Sequence, residues 1–210
     1  MTTALAFLDA GIDPKERVVC TGSYRYGNNT WRCWKRGGHG AMDMHNAIKN
    51  SCDTYFYHLC NRAGIDRIAR VAEDLGFGHT YEIGIAGQSS GIVPSQKWKR
   101  EYTEATSWED DPKWYSGETL SVAIGQGALS VNALQLAVMT SRLANGRKAV
   151  QPRLIKSIDG EPYAERKFDD LPFSIEHLDI VRAGMAAVAN DVTGTAYRTS
   201  QLGLGDIQMA

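Results

Sequence analysis

Ser51-Cys52-Asp53-Thr54-Tyr55-Phe56-Tyr57 lies between two stretches that read as helices, Met42 to about Asn50 and Thr54 to Ala63. On the second of these, Tyr55, Phe56, Leu59, Cys60 and Ala63 fall on one face at helical spacing. A Ser-x-Asp triplet at a helix start has an ordinary explanation, because Ser and Asp both make good N-caps. The triplet acquires meaning only from what surrounds it.

Working outward, Thr3 to Ala10 reads as a short helix stopped by Gly11, and it begins without an ordinary cap. Residues 12 to 40 are rich in Gly, Asn, Arg and Trp and lack hydrophobic periodicity, so something other than an apolar face must order them. Beyond Gly64, Asp66 is placed to cap a helix whose buried stripe is Ile65, Ile68, Ala72 and Leu75, ended by Gly76 and Gly78. Residues 79 to 118 read as a long irregular stretch. Ser121 to Ile124 is a short apolar run before Gly125-Gln126-Gly127. Asn132 to Asn145 is apolar nearly all round, the pattern of a buried central helix. Val150 to Ile158, with Pro152, suggests an edge strand. Ile175 to Ala189 is amphipathic, with Leu178, Val181, Met185 and Val188 on one side, and Gly203 to Ala210 looks like a strand just beginning. Both ends look cut, so residues 1–210 are expected to be part of one domain in which helices predominate and a sheet-forming portion is missing.

The bulk numbers narrow the classes. The chain has 210 residues, 43% hydrophobic and 22% charged, with a formal net charge of −1. That balance offers no clustered basic excess for a phosphate backbone, so no nucleic-acid partner is expected. Lys97, Lys99 and Arg100 alternate with Trp98 and Glu101 and are followed by Glu109, Asp110 and Asp111, a solvated segment of mixed charge. No run of about eighteen apolar residues occurs, and no basic residue precedes the first apolar stretch as a signal peptide would require.

Taken in series, these segments resemble the class B penicillin-binding proteins, the monofunctional, elongation-type peptidoglycan D,D-transpeptidases. Thr2 to Gly11 is similar to the helix that follows the nucleophile motif. Ser51-Cys52-Asp53 with its aromatic follow-on resembles the second motif. Gly64-Ile65-Asp66, Leu75-Gly76-Phe77-Gly78, Gly125-Gln126-Gly127 with Leu134-Gln135-Leu136-Ala137, and Gly194-Thr195-Ala196 match the family in order. The family's motifs are Ser-x-x-Lys, Ser-x-Asn or Ser-x-Asp, and Lys-Thr-Gly. Neither the first nor the third occurs here. Val192-Thr193-Gly194-Thr195 imitates the third, but valine cannot offer a substrate carboxylate a positive charge.

The resemblance implies an α+β fold of the β-lactamase and transpeptidase type, mainly its helical subdomain with part of the antiparallel sheet. It implies an enzyme that cross-links stem peptides through a serine acyl-enzyme and is trapped by β-lactams. Ser51 would relay a proton toward the leaving nitrogen, and Asp53 would orient the lysine or the substrate amide. It further implies a location at the periplasmic face of the inner membrane, with membrane proteins of the elongation complex as partners. A serine needs a neighbouring base to become a nucleophile, so this chain alone is expected to be inactive.

The four cysteines are Cys20, Cys33, Cys52 and Cys60, and His39 sits between the second and third. The intervals lack tight Cys-x-x-Cys pairing, so a metal, a disulfide and plain buried thiols all remain open on spacing. A metal clip would explain order in the glycine- and arginine-rich segment from Val18 to Gly40. The resemblance adds that a branch of the family carries zinc beside the second motif. Cys33, His39 and Cys52 align with three of its ligands and Cys20 lies close to the fourth, a Cys3His set of the closed structural kind. Cys60 is expected in the core, and His45, His58, His79 and His177 carry no expected role. Two further readings stand beside the transpeptidase: a non-catalytic zinc-stabilised module and an unrelated disulfide-linked domain.

Overall fold

The computed structural model describes residues 1–106, 111–164 and 166–201. The strand expected from Gly203 lies outside these residues, as do Glu109 and Asp110.

The centre of the molecule is α1 (Thr2–Asp9), whose Ala4, Leu5, Ala6 and Phe7 are fully buried. A helix that is apolar on every side is stable only when surrounded. Gly11 in the left-handed region (φ +75°) turns the chain out of it. Four short strands follow: β1 (Val18–Cys20), β2 (Ser23–Tyr26), β3 (Asn29–Arg32) and β4 (Gly40–Met42). They are nested. β2 and β3 form an inner antiparallel hairpin, and β1 pairs with β4 around it, with Val18 opposite Met42 and Cys20 opposite Gly40.

Next come α2 (Met44–Lys49), capped by Asp43, and α3 (Asp53–Ala63). Phe7 meets Tyr55 and Phe56 of α3 at ring-centroid separations of 6.4 and 5.7 Å. Burying a side chain such as Phe7 contributes about 2–3 kcal/mol. The stripe of α4 (Ile65–Asp74) is buried as its period predicts, and α4 lies on α1. Asp66, however, does not cap it. Its carboxylate accepts the backbone N–H of Gln96 at 2.9 Å and the Gln96 side-chain amide at 2.7 Å, and so fixes the start of the following helix.

That helix, α5 (Gln96–Thr106), and α6 (Ser116–Ala123) both fall in or across the stretch expected to be irregular. No residue of α5 is buried, so it carries no apolar period to read. It is held instead by Ser95 Oγ accepting Trp98 N–H, a Trp98–Tyr102 stack one turn apart, and the Lys97–Glu101 ion pair. Lys99 reaches both oxygens of Glu118 at 2.8 Å and ties α5 to α6.

α7 (Ala133–Ala144) departs from the expected buried central helix: Leu136 is 44% exposed, while Gln135 and Arg142 are buried. The expected edge strand from Val150 reduces to a hairpin of β5 (Ser157–Ile158) and β6 (Glu161–Pro162). Proline 152 withholds a ladder donor, and residues 150–156 find no paired strand. α8 (Ile175–Asn190), capped by Ser174, packs Gly184 so tightly on Ile48 of α2 that an added Cβ would sit 3.0 Å away. The short α9 (Tyr197–Ser200) returns to α8. Among the described residues no helix is long and apolar enough to cross a membrane.

Candidate active site and metal centre

The turn between α2 and α3 carries Ser51, Cys52 and Asp53, and the structure removes the capping explanation for them. Cys52 occupies the N-cap of α3 and makes no side-chain cap bond. Ser51 sits at φ +50°, a left-handed conformation costing a residue with a Cβ about 1–2 kcal/mol. Its Oγ lies 2.9 Å from the Thr195 hydroxyl. Thr195 in turn donates its backbone N–H to Lys49 O at 3.2 Å, and Lys49 pairs with Asp191 at 3.2 Å. The Asp53 carboxylate accepts the backbone N–H of Trp34 at 2.9 Å, and the Trp34 indole N–H donates to Asn50 O at 3.0 Å.

Ser51 and Asp53 border a cavity of about 410 Å³ whose other walls include Phe56, Ile68, Phe77 and Met139. Apolar walls with a few polar groups at one edge are the usual make-up of a ligand-binding cleft. The imitation of a third motif at Thr193 is structural. The Asp191 carboxylate accepts Thr193 N–H and Oγ–H, and an added Cβ on Gly194 would meet Ala187 O and Val188 O at 2.4 Å.

Beneath the turn the nested hairpins bring the other candidates together. Cys20 ends β1, Cys33 follows β3, His39 precedes β4 and Cys52 starts α3. Their ligand atoms all lie within 4.8 Å of one another. His39 Nδ1 is 3.6 Å from Cys20 Sγ and 3.5 Å from Cys33 Sγ, and all three cysteines are buried and free. Two glycines allow this closeness. A Cβ on Gly22 (φ +94°) would sit 2.1 Å from Arg36 O, and one on Gly38 (φ +76°) 2.2 Å from Cys20 O.

Burial alone would push the Cys20 thiol up, but the Thr54 hydroxyl, the N–H groups of Gly22 and His39 and the His39 ring bring it down to about 6. Burial drives the Cys52 thiol upward, and the adjacent Cys20 and Cys33 sulfurs add to the rise against the N–H of Tyr55. Three thiols and an imidazole crowded in one dry pocket are hard to ionise together without a cation, and they fit a soft-tolerant divalent metal such as zinc. Among the described residues the buried His39 Nε2 has no partner, so the ring's polar contacts run through Nδ1. Cys60 is apart from the group, its Sγ directed at Tyr57 O in the core as expected. His58 lies outside the group, its ring tilted by 53° against Tyr24 at a centroid separation of 4.3 Å. Trp34 was not singled out by the sequence; Thr195 was quoted only inside Val192-Thr193-Gly194-Thr195 and Gly194-Thr195-Ala196, with no role of its own. Both are separated from Ser51 in the chain, and no local spacing marks them.

This arrangement, a helical body with small antiparallel pairs and a Ser-x-Asp turn at an apolar cleft, defines a class. The sequence model described as the penicillin binding protein transpeptidase domain matches residues 1–206, and the chain belongs to that family. Its fold is the mixed helix and antiparallel-sheet fold of the transpeptidase-like penicillin-binding proteins. Among individual members, it is 36% identical over 177 residues to the peptidoglycan D,D-transpeptidase MrdA of Acinetobacter baumannii, a match covering 82% of this chain and 25% of that protein. The crystal structure of penicillin-binding protein 2 from Pseudomonas aeruginosa superposes with a TM-score of 0.82 at 37% identity, over 94% of this chain and 44% of that one. The Helicobacter pylori penicillin-binding protein 2 in complex with MreC gives a TM-score of 0.82 at 28% identity, covering 96% of this chain and 36% of the other. The chain thus spans about a quarter of the length of the curated relatives it matches.

Proposed function

We propose that this chain is the middle part of a peptidoglycan D,D-transpeptidase domain, with Ser51 and Asp53 serving acyl transfer and Cys20, Cys33, His39 and Cys52 holding a structural zinc. The observation that carries the reading is Ser51, forced into the left-handed region with its hydroxyl exposed at the edge of the apolar cavity. A serine that only capped a helix would need no such backbone.

In the reaction, the nucleophilic serine of a Ser-x-x-Lys segment attacks the penultimate D-alanine carbonyl of a stem peptide. The terminal D-alanine leaves as its nitrogen takes a proton through Ser51, and an amine of a second stem peptide then displaces the enzyme from the acyl group. A β-lactam acylates the same serine and stays. Asp53 orients the groups around that transfer. Cys20, Cys33, His39 and Cys52 would hold the zinc, which with all its protein ligands supplied by this loop and turn would lend structure rather than chemistry. The protein would work at the periplasmic face of the inner membrane, with stem peptides and elongation-complex membrane proteins as partners. The Helicobacter pylori relative's complex with MreC supports the last of these.

A second reading, a zinc-stabilised module without catalysis, is favoured by the absence of Ser-x-x-Lys and Lys-Thr-Gly from all 210 residues. Fluorescent penicillin separates the two. The chain alone should remain unlabelled. The chain joined to a Ser-x-x-Lys segment ahead of Met1 and a Lys-Thr-Gly segment after Ala210 should become labelled, and failure of that arm defeats the transpeptidase reading.

A further inference from the structure

We infer that Trp34 is a positioning residue that grips the Ser51–Asp53 turn from both sides and transmits order in the cysteine–histidine loop to it. The inference rests on the transpeptidase and zinc readings above. Trp34 directly follows Cys33, one of the four clustered residues. Its main-chain N–H is donated to Asp53 Oδ2 at 2.9 Å and its indole N–H to Asn50 O at 3.0 Å. The two acceptors bracket Ser51 and Cys52, so a single residue spans the turn. Its ring meets the His39 ring edge-on at a centroid separation of 5.3 Å, so the same side chain also touches the cluster.

Burial does not explain a tryptophan here, because Trp34 is 58% exposed. A large ring left that open to solvent gains little from the hydrophobic effect. What it contributes is a rigid frame with two directed donors, one fixed by Cys33 and the other aimed by contact with His39. The turn needs such a frame. Ser51 occupies a left-handed backbone conformation, and among the described residues its hydroxyl has one side-chain partner, Thr195, from a distant part of the chain. Holding Asn50 O and the Asp53 carboxylate at fixed positions leaves Ser51 little room to relax toward an ordinary backbone. If the metal orders the loop, Cys52 holds the turn from within and Trp34 carries the order of the Cys33–His39 side to the residues on either side of the proton-relaying serine.

The test uses the 210-residue chain, isotope-labelled and reconstituted with zinc chloride, and reads amide exchange at Ser51, Cys52 and Asp53. In the unaltered chain, chelation should speed exchange at these three amides about tenfold, as loss of local protection does. Trp34→Phe removes the indole donor and keeps the main-chain bond. It should show faster exchange at the turn with zinc still bound at one per chain, and chelation, which also frees Cys52, should then speed exchange by clearly less than in the unaltered chain, a non-additive result expected of coupled groups. If Trp34→Phe folds poorly, benzothienylalanine at this position keeps the ring's size and replaces the indole N–H with sulfur. Equal protection of the turn in altered and unaltered zinc-loaded chains, or independent additive effects, overturns the inference. Absence of zinc from the unaltered chain overturns the zinc reading instead, and the metal-free comparison still reads the clamp. In a complete transpeptidase, Trp34→Phe should lower the β-lactam acylation rate constant about tenfold and leave initial β-lactam affinity unchanged. A fall in affinity with an unchanged rate constant also overturns it.

Discussion

Cys52 and Cys60 sit eight residues apart in one segment, both fully buried, yet only Cys52 joins the ligand group. Cys52→Ala should abolish zinc retention, whereas Cys60→Ala should keep one zinc per chain and cost about 1–2 kcal/mol through lost packing. Elemental analysis beside urea melting distinguishes the two, and equal zinc loss in both would contradict the assignment. Gly38 offers a second check on the same loop. A Cβ there would press within 2.2 Å of Cys20 O at a φ of +76°. Gly38→Ala should therefore destabilise by about 2–4 kcal/mol and weaken zinc binding, seen as a lower urea midpoint and faster metal transfer to a chelator. The kinds of ligand, three thiols and an imidazole, were readable in the sequence. Their meeting was expected through the family resemblance but not from spacing, because it depends on β1 pairing with β4 outside the β2–β3 hairpin, and no Cys-x-x-Cys spacing announces that register.

Helix α7 shows why an apolar inventory misleads. Its composition suggested burial on every side, but its interior face is secured by polar groups. The Gln135 side-chain amide donates to His79 O and Ser90 O, each at 2.8 Å, and Arg142 donates to Asp74 O at 2.8 Å and Val150 O at 3.1 Å. Gln135→Leu leaves two carbonyls without donors, so it should lower stability by about 2–4 kcal/mol, measured by denaturant unfolding. Leu136, by contrast, stays half open beside the cavity. The junction of α2 and α8 carries a pH dependence. The hydroxyl and N–H of Thr193, with the Lys49 ammonium, hold the exposed Asp191 carboxyl at about 2, below the ordinary 3.8. A carboxyl depressed on folding stabilises the fold above its unfolded value, and that contribution fades as pH falls from about 4 toward 2. The melting-temperature gap between the unaltered chain and Asp191→Asn should therefore be full at pH 6 and close near pH 2. A gap independent of pH would remove this account. α5 was invisible to periodicity because nothing in it is buried, and its i,i+4 pairs are too local to signal a helix in a charged stretch.

For the molecule as a whole, residues 18–42 bury few apolar side chains, Val18, Cys20 and Cys33, so the cysteine–histidine group is what would order that segment. Chelation should lower the melting temperature by several degrees and expose thiols to titration, as expected when metal binding is coupled to folding. Unchanged melting after exhaustive metal removal would defeat the structural role of zinc. The order of segments along the chain was enough to read the family and, through it, the fold, since each helix start, glycine turn and aromatic follow-on depends on near neighbours. Ser51-Cys52-Asp53 was likewise visible as a triplet. Its geometry came from elsewhere: Thr195 opposite the Ser51 hydroxyl, Trp34 on Asn50 and Asp53, and Cys52 turned down toward Cys20, Cys33 and His39. Local hydrogen bonding and hydrophobic period are written in residues three or four apart. Partners many residues away are set by how the packed elements close on one another, and only the folded chain decides which of them meet.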